Sequence, residues 1–285
     1  MRNPYQRMID NYVAVINDGR QLPLGGIDDA PRPVLDADAP TVLIFSPHPD
    51  DECIIGSLAL RLLREQHMRI INVAVTQGSK KERQQPRWEE LEKACLYLGF
   101  DLIQTIKNGL EDIKSTTREE HPSTWLEAVN CIADMLKKYQ PQILFVPHAD
   151  DWNGTHIGTH YLVMDALQQV SGFSCLVVET EFWGAMAKPN LMVEASREEV
   201  ADLMAALSFH VGEVKRNPYH LSLPAWMQDN VRRGAEIVGG QGGQVPDFNF
   251  ATLYRLRKWE NGNLVDLLDA GRILSSGDDI SFGDV

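Results

Sequence analysis

The sequence is poor in cysteine, short of positive charge and free of long apolar runs. Its four cysteines, Cys53, Cys95, Cys131 and Cys175, lie 36 to 44 residues apart with no CxxC pair. That spacing argues against a disulfide framework and for four reduced, mostly buried thiols. Lys and Arg number 27 against 40 Asp and Glu, a formal net charge of −13. Such an excess repels phosphate backbones and anionic lipid at long range, so neither a nucleic-acid nor a membrane partner is expected. The start of the chain has polar residues every few positions in place of a leader's apolar stretch. Nowhere does a run approach the roughly 18 apolar residues of a membrane span, and a cytoplasmic location is expected. What is present is ordinary for a globular protein: 285 residues, 44% hydrophobic and 24% charged, enough to bury a sizeable core.

Short β-branched runs alternate with helix-length amphipathic segments from residue 40 onward. TVLIFSP, RIINVAVT, DLIQTI, QILFVP and FSCLVVETEF are nearly continuous in apolar residues, as strands buried on both faces must be. The intervening segments are long enough for crossover helices. The fold class expected is α/β: a Rossmann-like, mostly parallel twisted sheet with helices on both faces. Residues 1–39 read as an N-terminal helical arm and connector, 40–260 as a single catalytic domain, and 261–285 as a C-terminal tail. In such a sheet the site lies at the carboxyl ends of the strands, here just after Pro47, Thr76, Ile106 and Pro147.

Two of those loops are rich in ionisable residues. The first reads Ser46-Pro47-His48-Pro49-Asp50-Asp51-Glu52. One of its acids could serve as a helix N-cap, but His48, Asp50 and Asp51 together after an apolar strand point to chemistry. The second runs from His148 through Asp151, Asn153 and His156 to His160. His156 and His160, four apart, share a helix face. Two His and one carboxylate at neighbouring strand ends make an N2O set with open positions, the donor set of a catalytic zinc.

These two loops resemble the signature motifs of the LmbE-like (PIG-L) zinc-dependent de-N-acetylases. Val75-Thr76-Gln77-Gly78 followed by Arg87-Trp88-Glu89-Glu90, Ala94 and Leu98-Gly99 is similar to a third stretch of that family. Ala206-Leu207 with His210, and Arg233-Gly234 ahead of Phe250-Ala251, resemble its C-terminal part. The resemblance spans roughly residues 40–255. It implies His48, Asp51 and His156 as metal ligands and Asp50 as general base. It also implies Arg87, Asn108 and Asn153 as substrate contacts. The cofactor implied is Zn2+, with Fe2+ or another divalent metal as the alternative. The activity implied is hydrolysis of an N-acetyl or similar small acyl group from an amino sugar or sugar conjugate, by attack of a metal-bound water. The partner is thus a small N-acylated amino sugar; homo-oligomer contacts are one use left open for the two tails.

The chain departs from the family where the second motif commonly reads His-Pro-Asp-His, having Asn153, Gly154, Thr155 and His156 instead. Asn153 donates a hydrogen bond but cannot titrate, and Thr155 supplies no carboxylate to orient a His. Asp50 acting as both base and acid is the expectation, with His160 or His210 entering the site as alternatives. Two other readings stand beside the hydrolase: a non-haem iron oxygenase using the same two-His-one-carboxylate set, and a sugar-binding module with weakened turnover.

Overall fold

The computed structural model describes residues 3–28, 32–280 and 282. In chain order the elements are α1 (Gln6–Gly19), β1 (Thr41–Ser46), α2 (Leu58–Arg64), β2 (Arg69–Ala74), α3 (Lys81–Leu98) and β3 (Asp101–Gln104). There follow α4 (Ser115–Glu120), α5 (Pro122–Tyr139), β4 (Ile143–Pro147), α6 (Gly154–Gln168), β5 (Cys175–Thr180) and β6 (Leu191–Glu194). The last are α7 (Arg197–Ser208), α8 (Val211–Val214), α9 (Leu223–Ile237), β7 (Ala251–Glu260), β8 (Asn263–Asp266) and β9 (Arg272–Leu274).

The strands form one sheet in the order β3-β2-β1-β4-β5-β7-β6-β9, with β8 pairing to β7 off this path. β1 to β5 are parallel, as the alternating pattern predicts. Period-two alternation splits them between two cores. Val42 and Ile44 face the one covered by α2, α3, α7 and α9. Leu43 and Phe45 face the one covered by α5 and α6. Helices therefore cover both faces, and the α/β expectation holds.

Two features differ from the sequence reading, the start of α2 and the reach of the sheet beyond residue 260. The segment from Glu52 to Gln66 reads as one helix, yet α2 begins only at Leu58, after a 3-10 turn over Asp51–Cys53. Gly56, at φ +84, breaks the run, and a Cβ there would lie 2.1 Å from Thr252 Oγ1. Beyond β5 the sheet turns mixed, with β7 antiparallel to both β5 and β6. The tail boundary at residue 260 also moves: β8 pairs with β7 and β9 with β6, so residues 263–274 complete the sheet. Buried Arg61 fastens this segment by donating to the carbonyls of Ser275 and Asp278. The arm is helical as expected, but none of α1 is buried.

Candidate metal centre and active site

Strand order reverses between β1, which leads outward to β2 and β3, and β4, which leads the other way to β5. Loops leaving the two strands part there and open a crevice. The loop after β1 carries His48, Asp50 and Asp51, and α6, after β4, carries His156. The topology thus joins residues 108 positions apart.

His48 Nδ1 and His156 Nε2 are 3.2 Å apart, and Asp51 Oδ2 lies 3.3 Å from the first and 3.2 Å from the second. A tetrahedral ion with bonds of about 2.0–2.1 Å sets its ligand atoms about 3.3–3.4 Å apart, so this near-equilateral triangle fits one face of such a site. Charge agrees with geometry. His156 is buried, which by itself disfavours its cation, yet Asp51 and Asp151 overcome that and hold it up at about 10. Burial likewise pushes the Asp51 carboxyl up, but His156 and His48 win and keep it far below the usual range. Two carboxylates around one buried and one half-buried imidazole suit a positive charge, which a divalent cation would supply.

Asp151 is the carboxylate that stands behind His156, where Thr155 offers none. Its Oδ1 lies 3.6 Å from His156 Nδ1 and accepts the Asn153 N–H at 2.7 Å. Its Oδ2 accepts the N–H groups of Trp183 and Gly184. Burial opposes its charge, but the interaction with His156 and these amides lowers its pKa overall. Held by three backbone N–H groups, it stands at ion-pair distance from the far nitrogen of His156.

Asp50 stands beside the triangle and belongs to none of its edges. Its φ of +112 is rare for a residue with a Cβ. Its N–H donates to Glu52 Oε2 at 2.9 Å, while Glu52 Oε1 accepts from His210 Nε2 at 2.6 Å. This fully buried pair underpins the turn. Tyr219 Oη donates to Asp50 Oδ2 at 2.5 Å, leaving Oδ1 without a protein hydrogen bond among the described residues. Burial and the Asp51 charge raise the Asp50 carboxyl to about 6, against the opposing pull of His210, Arg87 and Tyr219. Burial and Asp50 together push the Tyr219 phenol far up, so it stays a neutral donor.

A cavity of about 520 Å3 opens over His48, Asp50 and Asp51. Arg87 and Asn153 line it too. Arg87 donates to the Pro49 carbonyl and sits 3.9 Å from Asp50. Asn153 caps α6 by accepting the Thr155 N–H through Oδ1, which leaves its amide NH2 as the free end. Asn108 lies apart: it is exposed on the turn after β3 and lines neither this cavity nor the adjoining one. The alternatives for the missing imidazole also lie elsewhere. His160 Nδ1 donates to the Pro147 carbonyl, and His210 is held by Glu52 behind the turn.

Sequence reasoning missed Tyr219, Trp183, Arg83, Arg216 and Glu213, which all line the cavity. Glu213, Arg216 and Tyr219 come from the short helical turns and loops after α7, which are too brief for periodicity to report position. Phe182, edge-on to His156 with ring centroids 4.7 Å apart, ends a run that did read as a strand.

Comparison with known proteins matches this architecture. A family model described as PIG-L, GlcNAc-PI de-N-acetylase, matches residues 43–167. No curated protein sequence matches. One similar solved structure is the conserved protein TT1542 from Thermus thermophilus, with a TM-score of 0.56 at 16% identity over 75% of this chain and 92% of that one. Another is N,N'-diacetylchitobiose deacetylase from Pyrococcus horikoshii, with a TM-score of 0.54 at 16% identity over 90% and 93%. A third is GalB, the 4-carboxy-2-hydroxymuconate hydratase from Pseudomonas putida, with a TM-score of 0.54 at 16% identity over 76% and 95%. At these identities the structural likeness establishes the fold. The segment matched by the family model contains His48, Asp50, Asp51, Arg87 and His156, so over residues 43–167 the chain is similar to the PIG-L (LmbE-like) family.

Proposed function

We propose that the protein is a divalent-metal-dependent hydrolase that removes an N-acetyl or similar small acyl group from an amino sugar or sugar conjugate. The observation that carries this reading is the triangle of His48, Asp51 and His156 beside an Asp50 left free of it, in a segment that matches the de-N-acetylase family. A divalent cation, zinc or ferrous iron, held by the three would lower the pKa of a water and act as Lewis acid on the amide carbonyl. Asp50, tethered by Tyr219 through one oxygen, keeps the other to accept a proton from the attacking water. The same carboxyl then returns it to the departing amine. Asn153 takes the place of a titrating His, so its amide NH2 serves as a hydrogen-bond donor and proton traffic falls to Asp50. Arg87 and Asn153 face the substrate; Asn108 has no support as a contact.

The donor set suits an oxygenase equally, but its place at the switch point of a parallel sheet favours the hydrolase. A hydratase stands among the similar structures, and a metal-activated water with a carboxylate base also suits addition of water to an activated double bond, which gives a second reading. Metal analysis with an acetate-release screen over N-acetylated sugars tells the hydrolase from the other two, and O2 consumption then tells the oxygenase from the hydratase. Asp50→Asn is expected to keep its metal and lose about 10²- to 10⁴-fold in turnover. Unchanged turnover in that variant would sink the reading.

A further inference from the structure

One wall of the cavity does no work in the chemistry above and carries the wrong sign for this molecule. Lys80 at the start of α3, Arg83 in its first turn and Arg216 after α8 all line it. Glu213 is the one carboxylate among them. It pairs with Arg83 at 3.0 Å and with Arg216 through its other oxygen. A single guanidinium satisfies a buried carboxylate, so Arg216 is surplus to that need. Lys80 forms no ion pair among the described residues. The wall thus holds three cations against one anion, in a chain whose net charge is −13.

The reacting end balances differently. There Asp50, Asp51 and, behind His156, Asp151 set three negative charges against a bound divalent cation and Arg87, which sits by Asp50 and donates to the Pro49 carbonyl. Positive charge left over at neutral pH is therefore concentrated on the wall of α3 and α8, not at the ion. Ser79 and Asn217 add neutral hydrogen-bonding groups to it. Guanidinium forks and a mobile ammonium in a partly enclosed cleft match an oxyanion group, carried by the substrate away from the scissile amide. Binding energy taken up at such a remote group helps to orient the amide.

We infer that the substrate carries an anionic oxygen group, a phosphate or a carboxylate, which Lys80, Arg83 and Arg216 bind. This rests on the hydrolase reading for the identity of the rest of the substrate, though not for the presence of the anion.

The test uses metal-loaded Asp50→Asn protein and calorimetric titration with N-acetylglucosamine, its 1-phosphate, its 6-phosphate and N-acetylmuramic acid. At least one of the three anionic sugars is expected to bind about tenfold or more tighter than the neutral one, the scale of a single charge-assisted contact. Which of them does so tells phosphate from carboxylate. Adding Lys80→Gln and Arg216→Gln, which leaves the Arg83–Glu213 pair to keep the fold, should shrink that preference about tenfold. Equal affinity for all four sugars, or a preference that survives the double change, overturns the inference. Acetate release by the unmodified enzyme is scored separately. Release without anion preference refutes the anion wall and keeps the hydrolase; preference without release does the reverse.

Discussion

Asp50 and Asp51 are neighbours in sequence with opposite fates. Asp51 turns into the imidazole pair and is held ionised, while Asp50, at φ +112, turns out to the cavity and is raised to about 6. The left-handed backbone at Asp50 is what separates them. Such a conformation is costly, and the Glu52 carboxylate on its N–H and Tyr219 on its side chain hold it there. Tyr219→Phe removes a hydrogen bond to a charged group, of about 1.5–3 kcal/mol. It should lower kcat about tenfold or more with KM and metal content little changed, as steady-state kinetics with metal analysis would show. Asp151→Asn leaves His156 without its oriented carboxylate. Metal affinity should fall about 10- to 100-fold in a chelator competition, while Tyr219→Phe leaves it intact. Both residues act through others. The pairing of Glu52 with His210 could not be read from spacing, because it joins segments that only the sheet brings together, whereas Asp151 and His156 lie five positions apart in sequence.

Helix α6 holds His156 in its first turn, and its seating decides where the imidazole lies. Gly158, two residues on, packs directly on the chain before α4. A Cβ there would lie 2.3 Å from the Ile113 carbonyl oxygen and 2.7 Å from the Lys114 nitrogen. Both atoms are backbone, so no rotamer change relieves the contact. Gly158→Ala should destabilise the protein by about 1–3 kcal/mol in denaturant unfolding, and loosen metal binding by displacing α6. Of the elements, β1 to β5 were legible from their unbroken apolar runs, and the crossover helices between them from the length of the intervening segments. The late start of α2 was not, because the apolar pattern of residues 53–63 hides the break at Gly56 that lets the turn serve the site. Nor were β8 and β9, whose short half-exposed strands resemble loop sequence.

At the scale of the whole molecule, the three candidate ligands come from both sides of the switch point, so an ion held there would tie the β1 loop to α6. Binding to the folded state alone stabilises by about 2.7 kcal/mol at a hundredfold excess over Kd. For a chain of this size that corresponds to a rise in Tm of roughly 5 °C. Differential scanning calorimetry with and without zinc should show the rise, a chelator should reverse it, and His156→Ala should abolish it. No helix among the described residues is long and apolar enough to cross a membrane. By itself the amino-acid order determined the parallel half of the sheet, through unbroken apolar runs, and the candidate ligands, because ionisable residues clustered after such runs are too costly to be incidental. Tertiary structure decided which of those groups meet, which carboxylate stays free, and which cations from α3 and α8 share one wall. Those outcomes depend on chain reversals and on a single left-handed residue, and a linear pattern of hydrophobicity does not encode distances across a fold.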